Sequence, residues 1–307
     1  MPDVTLEPPA TVEAQSSTPP SQALLGAYAH LRRPESLLVT DWEPTGAHEF
    51  ALAVRWPAAG GPLPYDPRVL AQTVRQTGLV VAHGAYGVPL THQTMLSTLE
   101  FTVAPGLRAP ERPSALAVEV TVAEPVDNRS AARSLRMGFH ILRDGVTAAR
   151  AHTEFRWIPP RVYARVRGSH ATVDWGSWPL PEPISAGLAG RASAADVVLA
   201  PGDAPHRWLL RNDTANTALF DHPVDHVPGL ALLEAADQAA HALLAPVTPV
   251  TLRIAASYRK YVEFDRPCRI EATPLPAAAP GRYAVRVTGT QDGEEAFAVD
   301  FSGVKGS

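Results

Sequence analysis

Hydrophobic and polar positions along this chain follow two periods, and the switch between them occurs twice. From Asp66 to about His83, Val69, Leu70, Val74, Leu79, Val80 and Val81 recur at helical spacing. Asp66 can cap the free N–H groups of that helix, and Pro67 suits its first turn. A second helix is predicted from about Pro228 to Leu244, ended by Pro246 and apolar nearly all round. Strand-like stretches follow each helix. They lie near 94–104, 115–126, 135–142 and 147–158 in the first half, and near 249–263, 268–274, 283–289 and 295–304 in the second. The last two strands of each set flank Asp144-Gly145 and Asp292-Gly293, a strong hairpin signal.

The two halves are repeats. Placing Gln76 on Gln238, an offset of 162, puts Gln72 on Glu234, Arg75 on Asp237 and Leu70 on Leu232. The closing strands match as well, Thr153-Glu154-Phe155 against Val299-Asp300-Phe301. One long helix plus an antiparallel sheet, used twice, predicts an α+β architecture. The expected division is a disordered tail over 1–22, a first repeat over 23–158, a Pro/Gly-rich connection over 159–200 and a second repeat over 201–307. Within the connection, Trp175 and Trp178 are expected to pack on the body of the protein.

Composition narrows the function classes. Of 307 residues, 45% are hydrophobic and 19% charged, enough apolar material for a sizeable core. The net charge is −4 with no basic block, which argues against nucleic acid as a partner. Only two of the 27 cationic residues are Lys, a bias expected of a GC-rich genome such as an actinobacterium's. Cys268 is the single cysteine, so no intrachain disulfide and no Cys-based zinc site can form, and it reads as a small core residue. The start of the chain lacks the basic and apolar regions of a signal peptide, and no apolar run reads as a transmembrane span. The expectation is a cytoplasmic protein of unspecified oligomeric state with no membrane contact.

Polar stripes on both helices carry the candidate chemistry. Glu234, Asp237, Gln238 and His241 share one face of the second helix, and Gln72, Arg75 and Gln76 share one face of the first. Either they are solvated faces, or they line a cleft between the halves. The loop before the second helix favours the cleft. Phe220-Asp221-His222-Pro223 and Asp225-His226-Val227-Pro228-Gly229 lead into a helix whose second turn carries Glu234. His222 can exchange a proton near neutral pH, and N–H groups opening a helix at Gly229 can polarise a carbonyl. His222 and His226 are four apart, but Pro223 and Pro228 make a helical metal site unfavourable, so no metal is expected. His83 and His92, beside the Tyr86-Gly87-Val88-Pro89 turn, read mainly as structural, and Tyr258, Arg259, Lys260 and Tyr261 lie on a strand-like run.

This loop and helix resemble the β-hydroxyacyl-carrier-protein dehydratases, whose hotdog fold wraps a sheet around a central helix. The resemblance implies a His and carboxylate pair contributed across a dimer interface. A fuller resemblance is to the A-factor biosynthesis (AfsA-type) family of streptomycete γ-butyrolactone synthases. It rests on the 220–229 loop with Leu232-Leu233-Glu234-Ala235-Ala236 and Gln238-Ala239. In the first half it rests on Leu38-Val39-Thr40-Asp41-Trp42, Asp66-Pro67, Thr73-Val74-Arg75-Gln76, Ala82-His83, Tyr86-Gly87-Val88-Pro89-Leu90 and His92-Gln93. It implies a double hotdog, no metal or redox cofactor, and acyl transfer from a β-ketoacyl-carrier protein to dihydroxyacetone phosphate.

On this basis His222 is expected to be the acid/base, with Glu234 or Asp237 as its carboxylate partner. Gly229, Gln72, Arg75, Gln76, Gln238 and His226 are the expected substrate-binding residues, for a small-molecule acyl or polyketide-type substrate that a carrier protein can deliver. Two residues depart from the family pattern: Gln72 stands where Glu is usual, and Asp237 where Arg is usual. An Arg there could grip a phosphate, whereas Asp would repel one. The alternatives these departures leave open are a dehydratase, hydratase or cyclase of secondary metabolism, and a catalytically silent homologue that binds an acyl ligand or a partner protein.

Overall fold

The computed structural model describes residues 21–123 and 134–306. Positions 1–20 of the expected tail and 124–126 of an expected strand lie outside them. The first repeat opens with helix α1 (Gln22–Tyr28), capped by the Ser21 side chain, so the last two residues assigned to the tail belong to the fold. Strands β1 (Val39–Pro44) and β2 (Glu49–Trp56), the central helix α2 (Pro67–Gly84) and β3 to β6 (Gln93–Val103, Ser114–Val122, Ser134–Arg143, Val146–Ile158) follow. Helix α3 (Pro160–Arg167) leads toward the second repeat. That repeat comprises β7 (Leu199–Pro201), β8 (Arg207–Leu210), the central helix α4 (Gly229–Leu244) and β9 to β12 (Pro249–Tyr258, Arg269–Pro274, Arg282–Gln291, Glu294–Lys305).

All twelve strands form one antiparallel sheet in the order β1-β2-β4-β5-β6-β3-β9-β12-β11-β10-β8-β7. The order reads as a mirror image about the β3–β9 seam, where Thr98 to Thr102 pair with Ser257 to Arg253. The sheet curls around α2 and α4, which touch each other, and the fold is a double hotdog. Strand alternation drives this wrapping. In β4, Leu116, Val118, Val120 and Val122 are buried while the residues between them are mostly exposed. Gly78 lets α2 lie close on the sheet, since a Cβ there would stand 2.4 Å from the Phe155 ring. Asp144-Gly145 and Asp292-Gly293 all adopt positive φ, as tight hairpins require. Cys268 is buried in the core, which pushes its thiol up to about 12.

The second repeat begins earlier than residue 201. In 184–200 the chain repeats, at an offset of 160, the entry of the first repeat. Ala29 N donates to Leu25 O, His30 N to Ala27 O and Leu31 N to Gly26 O. Ala189 N, Gly190 N and Arg191 N donate likewise to Ser185 O, Gly187 O and Ala186 O. His30 and Gly190 both have positive φ. The expected 159–200 connection therefore contains the opening of the second repeat, disguised by its Pro and Gly content. Trp175 and Trp178 pack on Phe264, with Trp178 stacked at 4.6 Å. The strand expected to reach 263 stops at Tyr258, and Arg259 and Lys260 donate to Ala296 O, so 259–261 leave the ladder.

Candidate active site

Two residues of the polar stripes are structural. Gln76 Oε1 accepts from Leu38 N at 2.7 Å and its Nε2 donates to Ser36 O at 2.9 Å. Gln238 does the same in the second repeat, with Val198 N at 2.9 Å and Asp196 O at 2.8 Å. Both are fully buried. Each glutamine ties its central helix to the backbone entering its own repeat, and neither amide is left open toward a substrate, contrary to the binding role expected of them.

The α4 stripe is a closed ion network. Arg191 donates through Nε and Nη2 to Glu234 at 2.7 and 2.8 Å, through Nη2 to Asp237 at 2.8 Å, and through Nη1 to Ala189 O and Gly190 O. These five bonds match the five N–H groups of a guanidinium. Glu234 also accepts from Gln238 Nε2 at 2.6 Å and lies 3.7 Å from Arg68, itself bonded to Asp66. Burial alone would raise the Glu234 carboxyl; Arg191, Arg68 and Gln238 outweigh it and hold it below its ordinary value. Gly190 makes the approach possible, since a Cβ there would meet His241 Nδ1 at 2.6 Å. A cavity of about 270 Å3, lined largely by residues 57–66, opens beside Arg68 and Arg191.

No hydrogen bond or ion pair joins His222 to Glu234 or Asp237 among the described residues, and the structure gives each of them other partners. The pre-α4 loop turns instead toward the first repeat. His222 Nδ1 lies 2.9 Å from Asp221 Oδ2, and Asp221 accepts from the backbone N–H groups of Arg32 and Arg33 at 2.6 and 3.1 Å. Burial would raise the Asp221 carboxyl, but the Arg32 N–H, His222 and the Arg33 N–H draw it below its ordinary value. A carboxylate fixed by two main-chain donors orients the imidazole beside it.

The α2 stripe faces this loop. Arg75 is half-buried, and its one hydrogen bond among the described residues runs from Nη1 to Ala29 O at 3.2 Å. Burial works against its charge and the charge of Asp221 supports it. One helical turn earlier, Gln72 Oε1 is buried with no hydrogen-bond partner among the described residues. His30 and His83 complete the cluster, with rings stacked at 4.9 Å and Nε2 atoms 2.8 Å apart. His83 Nδ1 stands 2.6 Å from Val88 O and must donate to it. Neutral His83 therefore accepts at Nε2, His30 donates there, and His30 Nδ1 is left as a bare acceptor. Burial, with the charges of His83, Arg75 and His222, lowers His30 to about 4.

Gly229 opens α4, and its N–H and that of Leu230 have no acceptor among the described residues. His226 belongs to a separate network. Its Nδ1 lies 2.7 Å from Asp225, which also accepts from Tyr163 and Arg167. Burial would raise the Asp225 carboxyl, but His226, Tyr163 and Arg167 draw it down to about 2. Sequence reading missed Arg191, His30 and the structural use of Asp221. The 160-residue echo that relates 30–31 to 190–191 lies in backbone hydrogen bonds and positive φ, and His30-Leu31 and Gly190-Arg191 share no residue that would have shown it in the sequence. Among the described residues no group of His, Cys, Asp and Glu converges as a metal site would, and no helix is long and apolar enough to cross a membrane.

Comparison with known proteins agrees with this architecture. The profile of the A-factor biosynthesis hotdog domain matches residues 12–159 and 176–261. A 2-oxo-3-(phosphooxy)propyl 3-oxoalkanoate synthase of Streptomyces virginiae is 36% identical over 85% of this chain and 90% of its own. The synthase of the same name from Streptomyces griseus is 33% identical over 98% of this chain and 97% of its own. Among solved structures, an oleoyl thioesterase (putative) from Lactobacillus plantarum superposes with a TM-score of 0.54 at 13% identity, covering 85% of this chain and 98% of that one. A 12:0-ACP thioesterase from Umbellularia californica gives 0.53 at 12% identity, covering 83% and 98%. The thioesterase likeness shows the fold alone. With the profile spanning both repeats and synthases matching along nearly the whole chain, this protein belongs to the A-factor biosynthesis hotdog family and is an enzyme.

Proposed function

We propose that this protein transfers a 3-oxoacyl group from a carrier-bound thioester to the free hydroxyl of dihydroxyacetone phosphate, at the cleft between α2 and the 221–229 loop. The product is a 2-oxo-3-(phosphooxy)propyl 3-oxoalkanoate, the compound that names its relatives. One contrast carries the choice of cleft. Among the described residues Arg75 makes a single hydrogen bond, whereas all five donors of Arg191 are engaged. Arg75 can grip a phosphate bidentately, with Gln72 accepting from a hydroxyl beside it. The α4 side offers a phosphate two buried carboxylates whose cations are already paired.

In this reading His222, held by Asp221, removes the hydroxyl proton as the oxygen attacks the thioester carbonyl. The N–H groups at Gly229 and Leu230 stabilise the resulting oxyanion. The intermediate collapses, the carbon–sulfur bond breaks, and His222 returns the proton to the departing thiolate. No facing carboxylate is needed. That favours acyl transfer over dehydration, for which Gln72 supplies no acid or base. The test is mass spectrometry of the purified protein with a 3-oxoacyl carrier protein and dihydroxyacetone phosphate. The phosphorylated ester is expected from wild type and formed at least about a hundredfold more slowly with His222→Ala. Hydration or dehydration of an enoyl or 3-hydroxyacyl thioester, without ester formation, would replace this reading.

A further inference from the structure

Helix α3 has two unlike faces. On the inner one, Tyr163 donates to both Asp225 carboxylate oxygens at 2.8 and 2.7 Å. Arg167 bonds Asp225 at 3.1 Å and Glu263 at 2.6 and 2.7 Å, and lies 4.4 Å over the Tyr261 ring. These contacts seat α3 on the stretch of chain that begins four residues before Gly229. On the outer face Val162 and Val166, one turn apart, are 48% and 60% exposed. Arg161 and Arg165, also one turn apart, are exposed and make no ion pair or hydrogen bond among the described residues. No other helix among the described residues exposes two large hydrophobic side chains. Every charge on α3 is positive, in a chain whose net charge is −4. A face that serves only as a solvated surface carries polar side chains. Apolar side chains flanked by unpaired guanidinium groups suit a partner that is apolar at its centre and acidic around it.

We propose that the outer face of α3 docks the acyl carrier protein that delivers the thioester, which rests on the acyl-transfer reading above. Charge complementarity selects this occupant. An acidic carrier helix sets its carboxylates against Arg161 and Arg165 and its apolar side chains on Val162 and Val166. The seat of α3 on Asp225 then holds the docked carrier beside the loop that bears His222 and Gly229, where the acyl end of its prosthetic arm must arrive. A short thioester without a carrier has no use for this face, and that difference makes the surface testable.

The full chain and an Arg161→Glu/Arg165→Glu double variant are titrated with a holo acyl carrier protein of bacterial fatty-acid synthesis. Both are then assayed with the 3-oxoacyl group presented on that carrier and on N-acetylcysteamine. The double variant should bind the carrier about tenfold or more weakly, with a matching rise in KM for the carrier-bound donor. Its kinetics with the N-acetylcysteamine thioester should be unchanged, and Val166→Asp should show the same split. Three results overturn the proposal: no carrier binding by the unaltered chain, carrier binding indifferent to the double reversal, or equal loss with both donors. Binding is read without turnover. If neither donor reacted, the acyl-transfer reading would fall while the titration still judged the surface.

Discussion

Arg191 Nη2 lies 2.8 Å from Asp237 Oδ2, joining the opening of the second repeat to the middle of its central helix with both partners buried. Glu234 shares the same guanidinium. Removing Arg191 leaves two buried carboxylates without their cation. Arg191→Met is expected to lower unfolding stability by about 3–5 kcal/mol, read from the denaturant midpoint at constant m. Glu234→Gln should also lower the midpoint while leaving the turnover number per folded molecule unchanged. A loss of turnover as large as that of His222→Ala would restore Glu234 to a catalytic role.

Arg75 and His222 should separate kinetically. Arg75→Gln is expected to raise KM for dihydroxyacetone phosphate by about tenfold or more, with Arg75→Lys recovering part of it, because Lys keeps the charge but not the fork. His222→Ala is expected to reduce kcat by roughly 100- to 10,000-fold, the usual range for losing a general base. Steady-state kinetics with each substrate varied in turn distinguishes the two.

The His30–His83 pair makes stability depend on pH. His30 has a folded value of about 4 against an ordinary 6.5, so the unfolded chain binds more protons between those values. Its contribution is fully present above pH 6.5 and is lost as pH falls toward 4. Because the ring is half-buried, the loss is roughly 1–2 kcal/mol. Urea unfolding at pH 7, 5.5 and 4.5 should show the decline, and His30→Asn should flatten it, Asn being tolerant of the positive φ at this position. Asp225, held to about 2, adds its own loss only below pH 4.

Gln76 and Gln238 make equivalent bonds and should fail equivalently. Alanine at either position leaves buried backbone groups unpaired and is expected to cost about 1–3 kcal/mol. If Gln76→Ala altered KM without altering stability, its assignment as a structural tie would be wrong.

The sequence by itself determined both central helices, most of the strands and their duplication. These rest on local periodicity, on Asp66-Pro67 and on two Asp-Gly turns, and each is set by the chain close to it. It also singled out Arg75 and Gln72, because polar residues stand out on a largely apolar helix, and His222, because its Pro-flanked loop leads directly into the second such helix. The short strands β7 and β8 and the start of the second repeat at 184 were hidden, since three- and four-residue strands carry almost no periodic signal. Strand β2 was missed although Glu49–Trp56 alternates plainly.

What only the tertiary structure decided is which polar groups meet. The seam between β3 and β9 sets the repeats back to back, so the loop bearing His222 answers to the first repeat, far away in sequence. It leaves Glu234 to Arg191, whose residue sits in a stretch that reads as a linker. Charge pairing in a low-dielectric interior is a matter of ångströms in space. An offset of 162 residues can show that two helices correspond, but it cannot show that one stripe has been closed by an arginine while the other has been left open.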